Sequence, residues 1–225
     1  INILECQKEW SIPNLVFSSS CSVYGNPEKL PVTESTPFQE AESPYARTKQ
    51  MGEQIISDFV KKHSSLNFVI LRYFNPAGLH SSGTIKEKPK KEVETLVPII
   101  KDVYEGKREK IVIFGGDYPT RDGTCIRDYI HIEDLAEAHS MAIEYLDKNE
   151  KSGVLDTFNI GTGNGVTVLE MVNAMEKVSG EKLNYEIGDR RAGDVIQVYA
   201  DTKYIKETIG WEPKKSIEDI FQSIL

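Results

Sequence analysis

The sequence contains no long apolar run and no excess of positive charge. A transmembrane helix needs roughly 18 or more consecutive apolar residues, and neither such a run nor a signal-peptide pattern occurs. Lys and Arg together number 27 against 35 Asp and Glu, a net charge of −8. That balance argues against nucleic acid and anionic membranes as main partners. It leaves open a local cationic pocket for a phosphate.

Cysteine and histidine are also scarce. Cys6, Cys21 and Cys125 are odd in number, far apart and without a C-x-x-C pair, so we expect free thiols in a reducing compartment, the cytoplasm. The histidines at 63, 80, 131 and 139 lack ligand spacing, which predicts no metal site. Repeats and low-complexity segments are absent, and 225 residues suffice for one large domain or two small ones.

The stretch from Ser43 to Lys49 predicts the start of a helix that carries two residues suited to proton transfer. Pro44 suits the first helical position with Ser43 as its cap, and the helix should continue to about His63. Tyr45 and Lys49 are four residues apart and so share one helix face. An ammonium beside a phenol stabilises the phenolate, which can act as a base. A hydroxyl from the earlier serine-rich segment 18–22 would complete a Ser/Tyr/Lys set, although Y-x-x-x-K alone also occurs by chance.

Apolar runs alternate with helical patterns along the chain, which predicts an α/β fold with parallel strands. The helix after Ser43 should bury a broad apolar face, with Thr48, Met51, Ile55 and Phe59 on one seam and Gly52, Ile56 and Val60 beside it. The predicted strands are 14–18, 68–73, 111–114, 129–132, 156–160 and 183–187. The predicted helices are 1–10, 44–63, 95–105, 133–146, 167–178, 202–209 and 216–224. Residues 76–94 should be a loop with a solvated charged run at 86–92.

The glycines at 161, 163 and 165 suggest a dinucleotide-binding loop at first sight. The G-x-G-x-x-G pattern fails because residue 166 is Val. Thr167 and Glu170 instead match a capping box for the next helix. We interpret the glycines as a tight turn, so the chain has no phosphate loop.

Six motifs together resemble the extended short-chain dehydrogenase/reductase family and, within it, the UDP-glucose 4-epimerases. The first two are shared by many members, whereas FGGDYPTRDGT and RDYIH are more particular to the 4-epimerases. The motifs follow the family order over nearly the whole chain: FSSSCSVYG (17–25), SPYARTK (43–49), LRYFNPAG (71–78), IFGGDYPTRDGT (113–124), IRDYIHI (126–132) and RRAGD (190–194).

The resemblance implies an NAD-dependent enzyme of galactose metabolism. Tyr45 would take the proton from the sugar 4-hydroxyl, and Lys49 would favour its ionised form and hold the nicotinamide ribose. Ser20 would hydrogen-bond the same hydroxyl. Oxidation at C4, rotation of the 4-keto sugar and re-reduction would interconvert UDP-glucose and UDP-galactose, with most binding energy coming from the UDP end. Ser18 and Tyr73 would contact the cofactor.

The resemblance also implies a nucleotide-sugar site. Arg127 and Arg191 would neutralise the pyrophosphate, and Asp194 would accept from the uridine ribose. The remaining implied substrate contacts are Ser22, Phe74, Asn75, Thr95, Leu96, Val112, Phe114, Tyr129 and Val198. Simpler structural roles stay open for several of these: an Arg127–Asp128 ion pair, turns at Asn75 and Asp194, and core packing for Tyr129 and Phe114.

The implied architecture is a Rossmann-like doubly wound parallel sheet with a smaller α/β substrate-binding domain. Residues 1–76 would be the C-terminal part of the NAD-binding domain and 77–225 the nucleotide-sugar domain, with about 128–160 packing back on the first sheet. The family's phosphate loop would precede residue 1, so we expect no turnover from these residues alone. The family also implies a homodimer that packs the tyrosine helix and the helix before it against a partner.

Two substitutions depart from the family pattern. Thr95 stands where an amide side chain is expected, which weakens one nucleotide contact. Val198 is a small residue where a bulky one closes the pocket around C2 of the sugar, so UDP-GlcNAc and UDP-GalNAc are expected as further substrates.

Other functions remain as alternatives. A 4,6-dehydratase needs an Asp-Glu pair where this chain has Cys21 and Ser22. The FGGDYPTRDGT stretch argues against assigning the chain as a decarboxylase or a uronate epimerase. A non-catalytic nucleotide-sugar-binding relative is opposed by the complete Ser20/Tyr45/Lys49 set.

Overall fold

The computed structural model describes residues 1–85, 95–191 and 193–225. The charged run predicted at 86–92 lies outside these residues. The helices are α1 (Asn2–Glu9), α2 (Pro44–Lys62), α3 (Leu96–Tyr104), α4 (Ile132–Lys148), α5 (Val168–Ser179), α6 (Lys203–Ile209) and α7 (Ile217–Ile224). The strands are β1 (Asn14–Ser20), β2 (Asn67–Tyr73), β3 (Asn75–Ala77), β4 (Ile111–Phe114), β5 (Ile126–His131), β6 (Leu155–Ile160), β7 (Gly165–Thr167), β8 (Tyr185–Gly188) and β9 (Gln197–Val198).

A three-stranded parallel sheet in the order β1-β2-β6 underlies the Tyr45 region. The crossover from β1 through α2 to β2 is a βαβ unit, which agrees with the parallel strands predicted on either side of the 44–63 helix. Because all three strands run the same way, Ser20, Tyr73 and Ile160 end side by side at one edge. β6 lies beyond residue 76 yet joins this sheet, while the division at residue 76 stays a prediction.

A second group of short strands carries the other candidate residues. β5 is central, pairing with β3, β7 and β9, and β4 pairs in parallel with β8. Sequence patterns did not indicate β3, β7 or β9. These strands are three, three and two residues long, which is too short for a period-two pattern to emerge.

Local capping signals place two helices as expected. The Ser43 side chain accepts a hydrogen bond from the Ala46 amide at the start of α2, at 3.1 Å. Thr167 and Glu170 form the predicted capping box at the start of α5. Gly180 ends that helix with φ = 76°, in the left-handed region that glycine adopts without strain.

The buried face of α2 was predicted correctly only in part, since Ile56 and Val60 are buried as expected but other residues of the predicted face are not. Met51 is 55% exposed and Ile55 38% exposed. The inner face instead carries polar groups that bond to β1 and its loop, since Gln50 donates to the Val23 carbonyl at 2.9 Å. A hydrophobicity pattern cannot detect a buried face made of hydrogen bonds. The buried residues of α2 are Ala46, Gln50, Glu53, Ile56 and Val60.

The apolar core forms on both sides of these sheets. One cluster joins β2, β6, α4 and α6, with Trp211 almost fully buried and its indole N–H donating to the Asp134 carbonyl at 3.1 Å. Another joins α3, α5 and α7 to β4 and β5. Within the described ranges, no helix has both the length and the apolar character that crossing a membrane requires.

Candidate active site

Tyr45 and Lys49 lie above the carboxyl end of β1. Tyr45 is 56% exposed in the first turn of α2. The Lys49 ammonium lies 5.5 Å from the centre of the Tyr45 ring and donates to the Ser18 carbonyl oxygen at 2.8 Å. The lysine therefore joins the helix that carries the phenol to the strand that carries the serines.

Ser20 is the last residue of β1 and caps a short 3-10 turn at Cys21–Tyr24. Its hydroxyl oxygen accepts from the Ser22 amide at 3.2 Å. The Ser22 hydroxyl is buried and has no hydrogen-bond partner in the part of the chain that the structure describes. An orphaned buried hydroxyl is costly unless another group satisfies it. The serine turn thus offers hydrogen-bonding capacity to a ligand.

Tyr73 ends β2 beside Ser18. The Tyr73 hydroxyl lies 2.6 Å from the Ser18 hydroxyl and also hydrogen-bonds Nε2 of His139 on α4. Burial raises the pKa of Tyr73; the hydrogen bond with Ser18 opposes this shift, and the neighbouring Tyr45 adds to it. Sequence reasoning considered His139 only as a metal ligand. Its partner is 66 residues away, and no sequence signal joins the two.

Phe74 and Val198 meet in one apolar cluster. Both are nearly buried, at 4% and 6% exposure, and they pack in one cluster with Val23, Tyr24 and other residues from the serine turn onward.

Asn75 and Tyr129 are register partners in the β3–β5 pair. Burial raises the pKa of Tyr129 to about 12, so its hydroxyl stays protonated.

Arg127 lies near the same turn. Burial raises the pKa of Cys21 to about 12, and the charge of Arg127 is the largest opposing influence. The proposed Arg127–Asp128 ion pair is not found among the described residues, since Arg127 donates to the Ile126 carbonyl at 2.9 Å. Asp128 is buried and accepts instead from the turn that follows β6.

Arg191, Asp194 and Phe114 form a second cluster. The Arg191 guanidinium donates to Asp194 at 2.7 Å and lies 5.5 Å from the centre of the Phe114 ring. The Asp194 amide also donates to the Arg191 carbonyl at 3.3 Å, so the aspartate is part of a turn as well. An exposed arginine over an aromatic ring is suited to a phosphate beside a flat base.

Val112 and Phe114 share the exposed side of β4. They are 37% and 45% exposed, whereas the alternate residues Ile111 and Ile113 are buried in the core. Phe114 is therefore not a core aromatic. Thr95 is the residue before α3 and Leu96 is its first. No described hydrogen bond joins Thr95 or Leu96 to the other candidate residues.

The described residues contain no cluster of three or more His, Cys, Asp or Glu side chains arranged to bind a metal ion. The candidate site residues instead carry mainly hydroxyls, one ammonium and two guanidinium groups. Such a set suits proton transfer and anion binding.

A family comparison agrees with this geometry. The model of the NAD dependent epimerase/dehydratase family matches residues 1–161. The chain belongs to this family. Five of the six motifs fall within the matched range, and the match confirms the resemblance drawn from them.

Individual members of the family are similar along nearly the whole chain. The UDP-glucose 4-epimerase of Bacillus subtilis is 45% identical over 218 residues, covering 97% of this chain and 63% of that protein. A UDP-glucose 4-epimerase from Stenotrophomonas maltophila, solved with bound NAD and formylated UDP-arabinopyranose, superposes with a TM-score of 0.94 at 37% identity, covering 98% of this chain and 64% of that one. The UDP-Glc/GlcNAc 4-epimerase of Campylobacter jejuni gives 0.80 at 37% identity, covering 99% and 66%. The chain thus spans a little under two thirds of these relatives.

Proposed function

We propose that the protein carrying this chain is a UDP-glucose 4-epimerase that interconverts UDP-glucose and UDP-galactose. The observation that supports it most directly is the Lys49 ammonium, which lies 5.5 Å from the Tyr45 ring and bonds to the end of the serine strand. Family members 45% identical to the chain carry this activity in their names. Epimerisation at C4 requires no second substrate.

The residues at the carboxyl ends of β1 and β2 are suited to NAD. Ser18 is exposed there, beside the Tyr73 hydroxyl at 2.6 Å and the Lys49 ammonium. Open parallel sheets bind nucleotides at this end of their strands. Lys49, Ser18, Tyr45 and Tyr73 would hold the nicotinamide half. When bound, NAD supplies a hydride acceptor and, once reduced, a hydride donor.

The chain's own residues would move the proton. The Lys49 ammonium would stabilise the phenolate form of Tyr45, and this phenolate would take the proton from the sugar O4 and become a neutral phenol. Ser20 would hydrogen-bond the same oxygen and hold it in place. Ser22, two residues later, has a buried hydroxyl with no partner among the described residues. After the 4-keto sugar has turned over, Tyr45 would return the proton to O4 while C4 regains hydride on its opposite face.

The nucleotide would be held on the far side of the serine turn. Arg127 and Arg191 would bind the pyrophosphate, with Phe114 and Val112 beside the uracil. Once a phosphate is bound, the Arg191 guanidinium would interact with both the phosphate and the Asp194 carboxylate. Asp194 would also accept hydrogen bonds from the ribose hydroxyls of the uridine. Anchoring at this end leaves the sugar free to rotate. Phe74, Asn75, Thr95, Leu96 and Tyr129 complete the proposed lining.

N-acetylated sugars are proposed as further substrates. Val198 packs in the apolar cluster with Phe74, next to the serine turn, and its side chain is shorter than an aromatic one. A small residue there would leave space at C2 of the sugar. The Campylobacter jejuni protein, 37% identical, is named for activity on both UDP-Glc and UDP-GlcNAc.

A 4,6-dehydratase is disfavoured. That reaction needs a carboxylic acid and a carboxylate just after the active-site hydroxyl, where this chain has Cys21 and Ser22. Burial raises the pKa of Cys21 to about 12, so its thiol stays protonated at neutral pH and is a poor acid.

A homodimer in the cytoplasm is proposed as the working form. Met51 and Ile55 of α2 and Ile3 of α1 are exposed apolar residues on two helices whose buried residues share one cluster, and a second copy would cover them. The absence of disulfides among the three cysteines, all of them described, fits a reducing compartment.

The test is an assay of the full-length gene product with UDP-galactose, with UDP-glucose followed by a coupled dehydrogenase. We expect turnover, and Tyr45→Phe should lower kcat by about 10²- to 10⁴-fold because the base is removed. Tyr204→Phe is the matched control, since Tyr204 is also a half-exposed tyrosine but lies on α6. An inactive wild-type protein, or a fully active Tyr45→Phe variant, would contradict the proposal.

A further inference from the structure

A buried ion pair lies one layer beneath the candidate catalytic residues. The Arg72 guanidinium donates to Glu53 through Nη2 at 2.7 Å and through Nε at 3.0 Å. The two side chains are only 7% and 5% exposed. The hydroxyl of Ser19 donates to the same carboxylate at 2.5 Å. This ion-pair set (Ser19, Glu53 and Arg72) therefore joins α2 to β1 and β2 at one point.

The position of Glu53 relates the set to the active site. Glu53 is four residues after Lys49 and eight after Tyr45, so all three lie on one face of α2. On the strands, Ser19 immediately precedes Ser20, and Arg72 immediately precedes Tyr73. Each residue of the ion-pair set is thus adjacent, along a helix face or a strand, to a residue of the proposed active site.

Arg72 is itself held from several directions. Its Nη1 donates to the Tyr24 hydroxyl at 2.9 Å and to the Glu34 carbonyl at 3.0 Å. The guanidinium lies between the Tyr24 and Phe38 rings, 5.0 and 5.1 Å from their centres. The Tyr24 hydroxyl in turn donates to Asn159 on β6 at 2.6 Å. The 3-10 turn, the loop before α2 and, through Tyr24, strand β6 therefore fix where the guanidinium points, and hence where Glu53 must lie.

A buried ion pair contributes little net stability compared with apolar side chains of the same volume, because desolvation offsets the attraction. It does impose a defined geometry, since the planar guanidinium accepts a carboxylate in only a few orientations. A rotation of α2 by about 10° would move a side-chain end about 6 Å from the helix axis by about 1 Å. A displacement of that size can lower a catalytic rate by about 100-fold.

We propose that Glu53 and Arg72, with Ser19, are positioning residues that fix the rotation and height of α2, so that Tyr45 and Lys49 meet the serine strand in reactive geometry. The proposal rests on the proposed epimerase function. The nucleotide would bind through residues beyond the sheet end, so KM for the UDP-sugar should depend little on this ion pair.

The test compares variants of the full-length, NAD-loaded protein with UDP-galactose. Glu53→Gln removes the charge at nearly constant volume, and we expect kcat to fall about 10- to 100-fold with KM within about threefold. Arg72→Lys keeps the charge but loses the planar fork, so it should lower kcat as well. Ser19→Ala removes one hydroxyl from the set and should lower kcat severalfold. If Glu53→Gln and Arg72→Lys do not fold, the kcat of Ser19→Ala alone tests the proposal.

Val60→Ala is the matched control, because Val60 is buried on the same helix and contacts none of the three residues through a hydrogen bond. It should lower the unfolding midpoint while leaving kcat unchanged. A second readout is the dissociation constant for UDP by calorimetry, which should stay constant in all variants.

A purely structural role for the pair would appear as kcat losses that follow the loss of thermal stability in every variant, Val60→Ala included. That result, or an Arg72→Lys variant with wild-type kcat, or a change confined to KM, would overturn the positioning proposal. An inactive wild-type protein would instead contradict the epimerase function itself, so the two failures are distinguishable.

Discussion

Asp128 and Gly161 pack so closely that a β-carbon on the glycine would lie 2.4 Å from Oδ2 of the aspartate. Asp128 is buried and accepts from the amides of Thr162, Gly163 and Ala200. One carboxylate thereby holds β5, the turn after β6 and the segment after β9 together. The glycine at 161 is explained by this contact, and no bound phosphate is needed to account for it.

Gly161→Ala should therefore destabilise the protein. The added methyl group must displace either the Asp128 carboxylate or the turn, and overpacking of this kind costs about 1–3 kcal/mol. Urea unfolding followed by circular dichroism would measure the loss. Gly188→Ala is the control, since its β-carbon would lie 3.3 Å from the Val112 side chain, where a small shift relieves it. Equal stability of the two variants would contradict the explanation.

His131 should make stability sensitive to mild acid. It is 2% exposed, and its Nδ1 accepts from the Glu133 amide at 3.1 Å at the start of α4. Burial lowers the pKa of His131; Glu133 opposes the shift and Lys215 adds to it. At pH values between the ordinary histidine pKa of about 6.5 and the lower pKa in the folded protein, the unfolded chain binds more protons than the folded protein. The free energy of unfolding should therefore fall as the pH drops below about 6.5.

The variant that tests this is His131→Asn, which keeps a hydrogen-bond acceptor for the helix start but cannot titrate. We expect it to be less stable at pH 8 and to lose less stability than the wild type between about pH 6.5 and 5. Urea unfolding at half-unit pH steps would provide the slopes. The same slope in the wild type and in His131→Asn would count against His131.

Val198 should set the range of sugars. Val198→Tyr places a large side chain in the cluster with Phe74, which would fill the space proposed for an N-acetyl group. Turnover of UDP-GlcNAc should fall by about 10- to 200-fold relative to UDP-galactose. Both substrates would be assayed on the same preparation. Ile196→Tyr is the control, because Ile196 is two residues earlier and 36% exposed. An unchanged substrate ratio in Val198→Tyr would contradict the role.

Local signals made most of the fold predictable. The α5 capping box needs only Thr167 and Glu170, three residues apart, and β4 is recognisable from four apolar residues. The Tyr45–Lys49 pair was likewise predictable because both residues lie on one helix face. The fold class and the family resemblance followed from such stretches taken in order.

Contacts between distant segments were not predictable in this way. Arg72 reaches Glu53 across 19 residues, and Tyr73 reaches His139 across 66. Each partner alone looks like an ordinary polar residue of a strand or helix. The same limit explains the partial error on α2, where polar groups that bond to β1 take up part of the buried face and Met51 is exposed.

The exposed apolar side of α2 should be a dimer contact. Met51 and Ile55 are 55% and 38% exposed, an arrangement that a second copy would bury. The wild-type protein should sediment as a dimer, and Met51→Asp combined with Ile55→Asp should give a monomer, because burying two carboxylates is unfavourable. Ile143→Asp on α4, 40% exposed, should leave the dimer intact. Analytical ultracentrifugation would measure the oligomeric state of each protein. A monomeric wild type, or a double variant that remains a dimer, would contradict this assignment.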